Sequence, residues 1–347
     1  MRHSIVPPYL LAKIASAERP ELREAARSAR RALALDVPLR AARISLSLDG
    51  WSGSLLVELE RDTPERTISD AVGSEELPGR IVRREGDDPT GDRAVDEAYD
   101  GLGATSRLLR DGFGRRSIDG RGLPLDATVH YGTAYDNAFW DGARMVFGDG
   151  DGVVFNRFTA SLSVIGHELA HGVTQHSANF VYQGQSGALN ESVSDVVGAL
   201  VEQHESGQTA DQASWLIGAG LFTDQVQGAA LRSMAAPGTA YDDDVLGRDP
   251  QPAHLREFVE TEDDYGGVHI NSGIPNRAFF LTATALGGFA WERAGRIWYD
   301  ALLSRIPANA GFARFAEATR HAAALRFGEG SAEHLAVSDG WAEVGVV

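Results

Sequence analysis

His167-Glu168-Leu169-Ala170-His171 lies in a stretch, Val164 to Thr174, that has no proline and carries apolar residues at helical spacing. On a helix, residues i and i+4 project from one face, so both imidazoles can reach a single metal ion. Glu168 then falls beside the ion rather than on it, which suits a general base acting on a water that the metal polarises. Glu191, twenty residues after His171, opens a second apolar-periodic stretch running to Val201. A carboxylate there can supply a third ligand, and two His with one Glu leave a tetrahedral zinc with an open position. Asp195, one turn after Glu191, can accept the free N–H of a ligating imidazole and fix its tautomer; Asn190 can orient the other imidazole.

A third segment places Asp264 and His269 on either side of Gly266-Gly267. The Asp can orient and charge-stabilise the His, and a His so held can donate a hydrogen bond to an oxyanion. By itself this segment also fits a purely structural His.

The elements that must position these groups follow from patterning. Residues 1–40 hold short helical patterns, including Glu21–Leu35. Ile44–Leu48 and Leu55–Leu59 alternate and read as strands, and Thr63-Pro64-Glu65-Arg66 reads as a linker. A helix is predicted from Thr90 to Leu109, and strands at Thr128–Tyr131 and Arg144–Phe147. Beyond Ser161 the pattern is mostly helical: roughly 161–177, 189–205, 211–220, 269–287, 291–304, 311–326 and 332–343. A β-rich half followed by a helical half, joined by the helix of His167 and His171, puts the metal between two lobes, where enzyme clefts often lie.

Composition narrows the chemistry. The 347 residues suffice for two domains. A net charge of −17 argues against a nucleic-acid partner, which calls for a basic patch. No apolar run spans a bilayer, so no membrane partner is expected. The N-terminus lacks the apolar core and cleavage site of a classical signal peptide. With no cysteine, thiol catalysis, disulfides and thiolate ligands are excluded, so a metal must use His, Asp and Glu. Lys13 is the only lysine among 32 basic residues. Asp149-Gly150-Asp151 reads as a hairpin turn, because EF-hand spacing is absent.

His167-Glu168-x-x-His171, Asn190-Glu191-Ser192-x-Ser194-Asp195 and Gly266-Gly267-Val268-His269-Ile270-Asn271-Ser272-Gly273-Ile274 together resemble the thermolysin-like family of zinc metallopeptidases. Asn137-Ala138-Phe139-Trp140, Gly148-Asp149-Gly150-Asp151-Gly152 and Ala230-Leu231-Arg232-Ser233-Met234 match in family order. Pro7-Pro8-Tyr9-Leu10-Leu11 resembles the short pro-segment of the protealysin-like branch.

The resemblance implies an α+β fold, a two-lobed zincin. Its parts would be a pro-segment at 1–50 (boundary roughly 45–65), a β-rich catalytic lobe with the active-site helix at 66–177, and a helical lobe at 178–347. It implies a monomeric zinc endopeptidase made as a zymogen, acting on peptides or proteins and inhibited by its own pro-segment; it would be secreted, and without a classical signal peptide the alternatives are a non-classical route or residence in the cytoplasm. Tyr182 and His269 would stabilise the oxyanion, with Asp264 supporting His269. Asn137, Ala138 and Arg232 would hold the substrate backbone. Phe155, Phe158, Val164 and Leu231 would line the pocket beyond the scissile bond. The family's double calcium site would be lost, because Ser163, Ser214, Leu216 and Ala219 stand where carboxylates are expected and only Glu202 remains. Tyr265 replaces the usual Asn, with little consequence expected. An aminopeptidase on the same ligands, or a silent binding protein, are the rivals; an intact Glu168 argues against the second.

Overall fold

The computed structural model describes residues 3–41 and 64–347. The expected strands Ile44–Leu48 and Leu55–Leu59 and the junction near residues 45–65 lie largely outside them.

The N-terminal lobe is built on a six-stranded mixed sheet. Its strands are β1 (His3–Ser4), β2 (Arg66–Asp70), β3 (Arg80–Arg84), β4 (Leu125–Val129), β5 (Ala138–Trp140) and β6 (Met145–Phe147), in the order β1-β5-β6-β4-β2-β3. β2 pairs parallel with β4 and β4 with β6; the remaining pairs are antiparallel. β2 has a single large apolar residue, Ile68, β3 two adjacent ones, Ile81 and Val82, and β5 an unbroken apolar run, so none alternates and each left little trace in the sequence.

The stretch before β2 is a helical hairpin laid over the body of the protein: α1 (Pro8–Ala15), a short 3₁₀ turn, then α2 (Arg23–Ala41). Pro8 opens α1 at the position where a missing N–H costs nothing. Leu10, Leu11, Ile14, Leu22, Ala25 and Ala29 are buried in the common apolar core. The Lys13 ammonium donates to the carbonyl of Leu246 at 2.8 Å.

α3 (Arg93–Arg107) starts at Asp92, whose carboxylate accepts from the amides of Ala94 and Val95. α4 (Leu162–Gln175) follows, then α5 (Gly184–Ser206). These two long helices pack closely because Gly198 has no side chain: a Cβ there would sit 2.3 Å from the Ser163 carbonyl oxygen.

The C-terminal lobe carries α6 (Asp264–Asn271), α7 (Gly273–Leu286), α8 (Ala294–Leu303), α9 (Phe312–Phe327) and α10 (Ala332–Glu343). Its centre holds Trp298 stacked on Trp341 at 6.0 Å, with Phe279 and Phe315 edge-on. Among the described residues no helix is long and apolar enough to cross a membrane.

Two helix expectations need correction. Residues 211–220 form turns and a strand, β7 (Leu216–Ile217), paired with β8 (Arg232–Ser233). Trp215 has φ +56°, which a right-handed helix does not accommodate, and Leu216 and Ile217 pair with Ser233 and Arg232 of β8. The stretch 269–287 is two helices that meet at Ser272, and the first begins earlier, in a left-handed turn at Asp264.

The turn around Asp149-Gly150-Asp151 is held by its own carboxylates. Asp149 pairs with His130 at 2.9 Å, and Asp151 Oδ1 accepts from the amides of Val153, Val154 and Phe155. Beside it Asp136 is wholly buried, and burial, then the nearby Asp151, push its carboxyl up to about 8. A raised folded-state pKa contributes stability that is full below the unfolded value of 3.8 and is lost as pH rises through about 8. Asp136→Asn removes that titration. The melting temperature of the variant should therefore gain on the wild type between pH 5 and pH 9, and a pH-independent difference would show that Asp136 does not titrate there.

Candidate active site

α4 presents His167 and His171 on one face, and α5 crosses it to bring up Glu191. The two Nε2 atoms are 3.1 Å apart; Glu191 Oε2 lies 3.4 Å from His167 Nε2 and Oε1 lies 3.6 Å from His171 Nε2. All three side chains are buried, and their ligating atoms fall within 4.8 Å of one another. Each imidazole is fixed through its other nitrogen: His167 Nδ1 to Asp195 Oδ1 at 2.8 Å, and His171 Nδ1 to Asn190 Oδ1 at 2.9 Å and Ser194 Oγ at 3.1 Å. Donation from Nδ1 leaves the Nε2 lone pairs facing each other and a carboxylate, a cluster of acceptors that a cation satisfies. Burial drives His171 down to about 3, so it stays neutral and able to ligate. Burial would raise Glu191, but His269 first, and then His167, hold it well below the usual range. Two imidazoles and a carboxylate without thiolate fit Zn²⁺.

Asp195 is a hub. Besides His167 it receives Nε and Nη2 of Arg232, at 2.9 and 2.8 Å, and Asn276 Nδ2 at 2.8 Å. Burial alone would raise this carboxyl; Arg232 and His167 outweigh it and hold it at about 2.

Glu168 is wholly buried. Its Oε2 accepts from the Trp140 amide at 3.0 Å, and Oε1 has no hydrogen-bond partner. Burial, then the Glu191 charge, raise it well above the ordinary carboxylate value.

His269 sits across the cluster, its Nε2 3.5 Å from Glu191 Oε2 and 3.3 Å from the Tyr182 hydroxyl. Tyr182 OH also donates to Glu191 Oε1. Asp264 bonds both the His269 amide, at 2.9 Å, and Nδ1, at 2.6 Å. A turn makes this reach-back possible: Asp264, Tyr265, Gly266 and Gly267 all have φ between +51° and +83°. Glycines take this conformation without strain, whereas a side chain costs about 1–2 kcal/mol. Tyr265 therefore sits in a strained conformation where Asn would be easier, and its ring packs edge-on against Tyr182 at 5.5 Å. Burial would lower His269; Asp264 and Glu191 outweigh it and lift it to about 9, making it a charged donor at neutral pH.

The cleft is filled by the chain's own N-terminal segment. β1 pairs antiparallel with the edge strand β5, His3 opposite Trp140 and Ser4 opposite Phe139. The Ser4 carbonyl accepts from His269 Nε2 at 3.0 Å. The Ile5 amide donates to the Ala138 carbonyl at 3.1 Å, and Arg232 Nη1 donates to the Ile5 carbonyl at 3.2 Å. Asn137 brackets Val6, accepting from its amide at 3.0 Å and donating to its carbonyl at 3.3 Å. Ile5 is buried in the same apolar core as Phe155, Phe158, Val164 and Leu231. Asn276, Ser194, Trp140 and residues Ser4–Val6 were not singled out from sequence. Ser194 and Trp140 appeared only inside the matched stretches Asn190-Glu191-Ser192-x-Ser194-Asp195 and Asn137-Ala138-Phe139-Trp140, with no role assigned.

A His-Glu-x-x-His helix crossed by a second helix that adds a carboxylate, at the floor of a cleft between a β-rich and a helical lobe, defines a two-lobed zincin, a zinc-dependent peptide hydrolase. Residues 63–175 match the thermolysin metallopeptidase catalytic domain and residues 178–346 its alpha-helical domain. The chain belongs to the thermolysin metallopeptidase family. It is 56% identical over 282 residues to an extracellular metalloprotease of Pectobacterium carotovorum subsp. carotovorum, covering 81% of each chain. It is 37% identical over 262 residues to a thermolysin of Alicyclobacillus acidocaldarius subsp. acidocaldarius, covering 74% of this chain and 46% of that one. Among solved structures it resembles the precursor of protealysin, a metalloproteinase from Serratia proteamaculans. The TM-score is 0.88 at 48% identity, covering 99% of this chain and 100% of that one. The protein is a zinc metalloendopeptidase.

Proposed function

We propose the following division of labour. His167, His171 and Glu191 would hold a Zn²⁺, which when bound would supply the Lewis acidity that makes a water nucleophilic at neutral pH. Glu168 takes the proton from the attacking water and passes it to the leaving amine. Tyr182 and the charged His269 donate to the carbonyl oxygen as negative charge develops there, and Asp264 keeps His269 charged and oriented. Burial raises the Tyr182 phenol well above its ordinary value, so it remains a donor. Asp195 and Asn190 fix the ligating imidazoles. Asn137, Ala138 and Arg232 hold the peptide extended on the β5 edge, as strand addition requires. The observation that carries this reading is the Ser4–Val6 segment, whose backbone meets each of these holding groups in turn. Incubating the purified protein with denatured protein, with and without a zinc chelator, and mapping the cuts tests it. Chelator-insensitive cleavage would overturn the metal's role, and removal of terminal residues alone would favour the aminopeptidase rival.

The same segment supports residues 1–50, with a boundary in the range 45–65, as a pro-segment that inhibits by occupying the cleft. Residues 66–177 and 178–347 then form the two catalytic lobes. The enzyme acts as a monomer and is secreted, as the name of the Pectobacterium relative suggests for that protein.

Phe155, Phe158, Val164 and Leu231 form the pocket beyond the scissile bond. All are apolar and buried, with the two phenylalanine rings 5.6 Å apart. Burying Leu or Phe there contributes about 1.5–3 kcal/mol, whereas an unpaired charge pays a desolvation cost. Cuts in a mixed peptide library should fall before Leu, Ile, Val or Phe; a dominant preference for Asp, Glu, Lys or Arg after the cut would sink the pocket assignment.

Loss of the double calcium site is the second expectation. Ser163 Oγ is engaged with the Gly218 amide at 3.1 Å, and burial raises the Glu202 carboxyl. Glu202, Ser214 and Leu216 line one small pocket, in which Glu202 is the only carboxylate. Hard cations need several charged oxygens. Melting temperature should change little between calcium and chelator in the zinc-loaded protein; a large calcium-dependent rise would show that other ligands have taken over.

A further inference from the structure

We infer that Ser4–Ile5 is itself a scissile bond, cut in place by the zymogen, and that the inhibitory segment persists as a retained product beginning at Ile5. This rests on the roles proposed above for Glu168 and His269. The register fixes which bond is involved. The carbonyls of Ile5 and Val6 go to Arg232 and Asn137, the groups that hold backbone away from the metal ligands. The Ser4 carbonyl alone meets His269 Nε2, the nitrogen that also lies 3.3 Å from the Tyr182 hydroxyl and 3.5 Å from Glu191. The leaving nitrogen, Ile5 N, is oriented by the Ala138 carbonyl. Glu168 is tied to the Trp140 amide, one residue along the edge strand from the Phe139 that faces Ser4, and its second oxygen is uncommitted. Base, donors and carbonyl therefore meet at one peptide.

What separates this segment from a substrate is the fate of its products. Ile5 and Val6 are wholly buried, and the chain continues through Pro7-Pro8 into α1, whose Leu10, Leu11 and Ile14 are buried as well. The amine product is tethered and cannot diffuse away. In the cut, the water oxygen bonds to the Ser4 carbonyl carbon and the C–N bond to Ile5 breaks. Glu168 carries the water's two protons in turn to the Ile5 nitrogen, which leaves as an ammonium, and Ser4 is left as a carboxylate; nothing is oxidised or reduced. The cleft stays filled, so this cut does not activate the enzyme.

Zinc-loaded full-length zymogen should be followed by intact mass and N-terminal sequencing. The expected result is complete conversion to a chain starting at Ile5, with no gain in cleavage of denatured protein, at a rate independent of protein concentration. The sequence contains two Ser–Ile bonds, Ser4–Ile5 and Ser117–Ile118. Labelling serine carbonyl carbon with ¹³C and isoleucine nitrogen with ¹⁵N marks both. Adding zinc to inactive Glu168→Gln should shift the Ser4–Ile5 correlation, leave it intact and leave Ser117–Ile118 unmoved; in the wild type the Ser4–Ile5 correlation should vanish. A bond that survives in zinc-loaded wild type whose mature form cuts denatured protein overturns this inference and leaves the function standing. Decay that accelerates with concentration also overturns it, because the cut is then made by another molecule. A mature form that cuts no protein would remove the parent reading instead.

Discussion

Glu168→Gln should keep its zinc and cleave denatured protein roughly 10²–10⁴-fold more slowly than the wild type, the range associated with a positioned general base. The amide oxygen can still accept from the Trp140 amide, so the local hydrogen bond and the shape of the site survive. What is lost is a group that can take a proton. Zinc content measured alongside turnover separates the two roles: a variant that loses zinc would make Glu168 a ligand, and one that cleaves near the wild-type rate would remove it as the base. The same variant should also keep its full pro-segment if maturation is autocatalytic.

His171→Ala should fail to retain zinc through purification and lose activity altogether. Damage to groups that merely orient a ligand costs about 10–100-fold in affinity, and removal of the ligand itself should exceed that. The variant also strips Asn190 Oδ1 and Ser194 Oγ of their contact with His171 Nδ1 in a buried site. An orphaned buried polar group costs about 1–3 kcal/mol, so the melting temperature should fall as well. Full zinc occupancy in the variant would sink the ligand assignment.

The metal trio was legible because its chemistry obeys a local rule: two His four residues apart on a helix, and one carboxylate opening the next helix. The same periodicity gave α4 and most of the C-terminal helices. It failed at residues 211–220, where pairing with β8 overrode an apolar pattern, and at β2, β3 and β5, whose apolar residues are single or adjacent and do not alternate. Asn276 was invisible for a different reason. It reaches Asp195 from 81 residues away, and a lone asparagine within a helix carries no spacing that points to a partner. The occupant of the cleft was equally hidden. Ser4, Ile5 and Val6 are ordinary residues, and only the register on β5 shows that their backbone traces the path of a peptide substrate.

Lys13, docked on the Leu246 carbonyl, has a consequence for the chemistry of the mature enzyme. It is the chain's sole lysine and lies in the proposed pro-segment. Once that segment departs, the catalytic lobes hold no side-chain primary amine at all. Reducing sugars, aldehydes and activated esters, which stiffen or inactivate proteins by modifying lysine, then find only the new α-amino group. Such an enzyme is suited to attachment through a single point, with its surface otherwise untouched by amine chemistry.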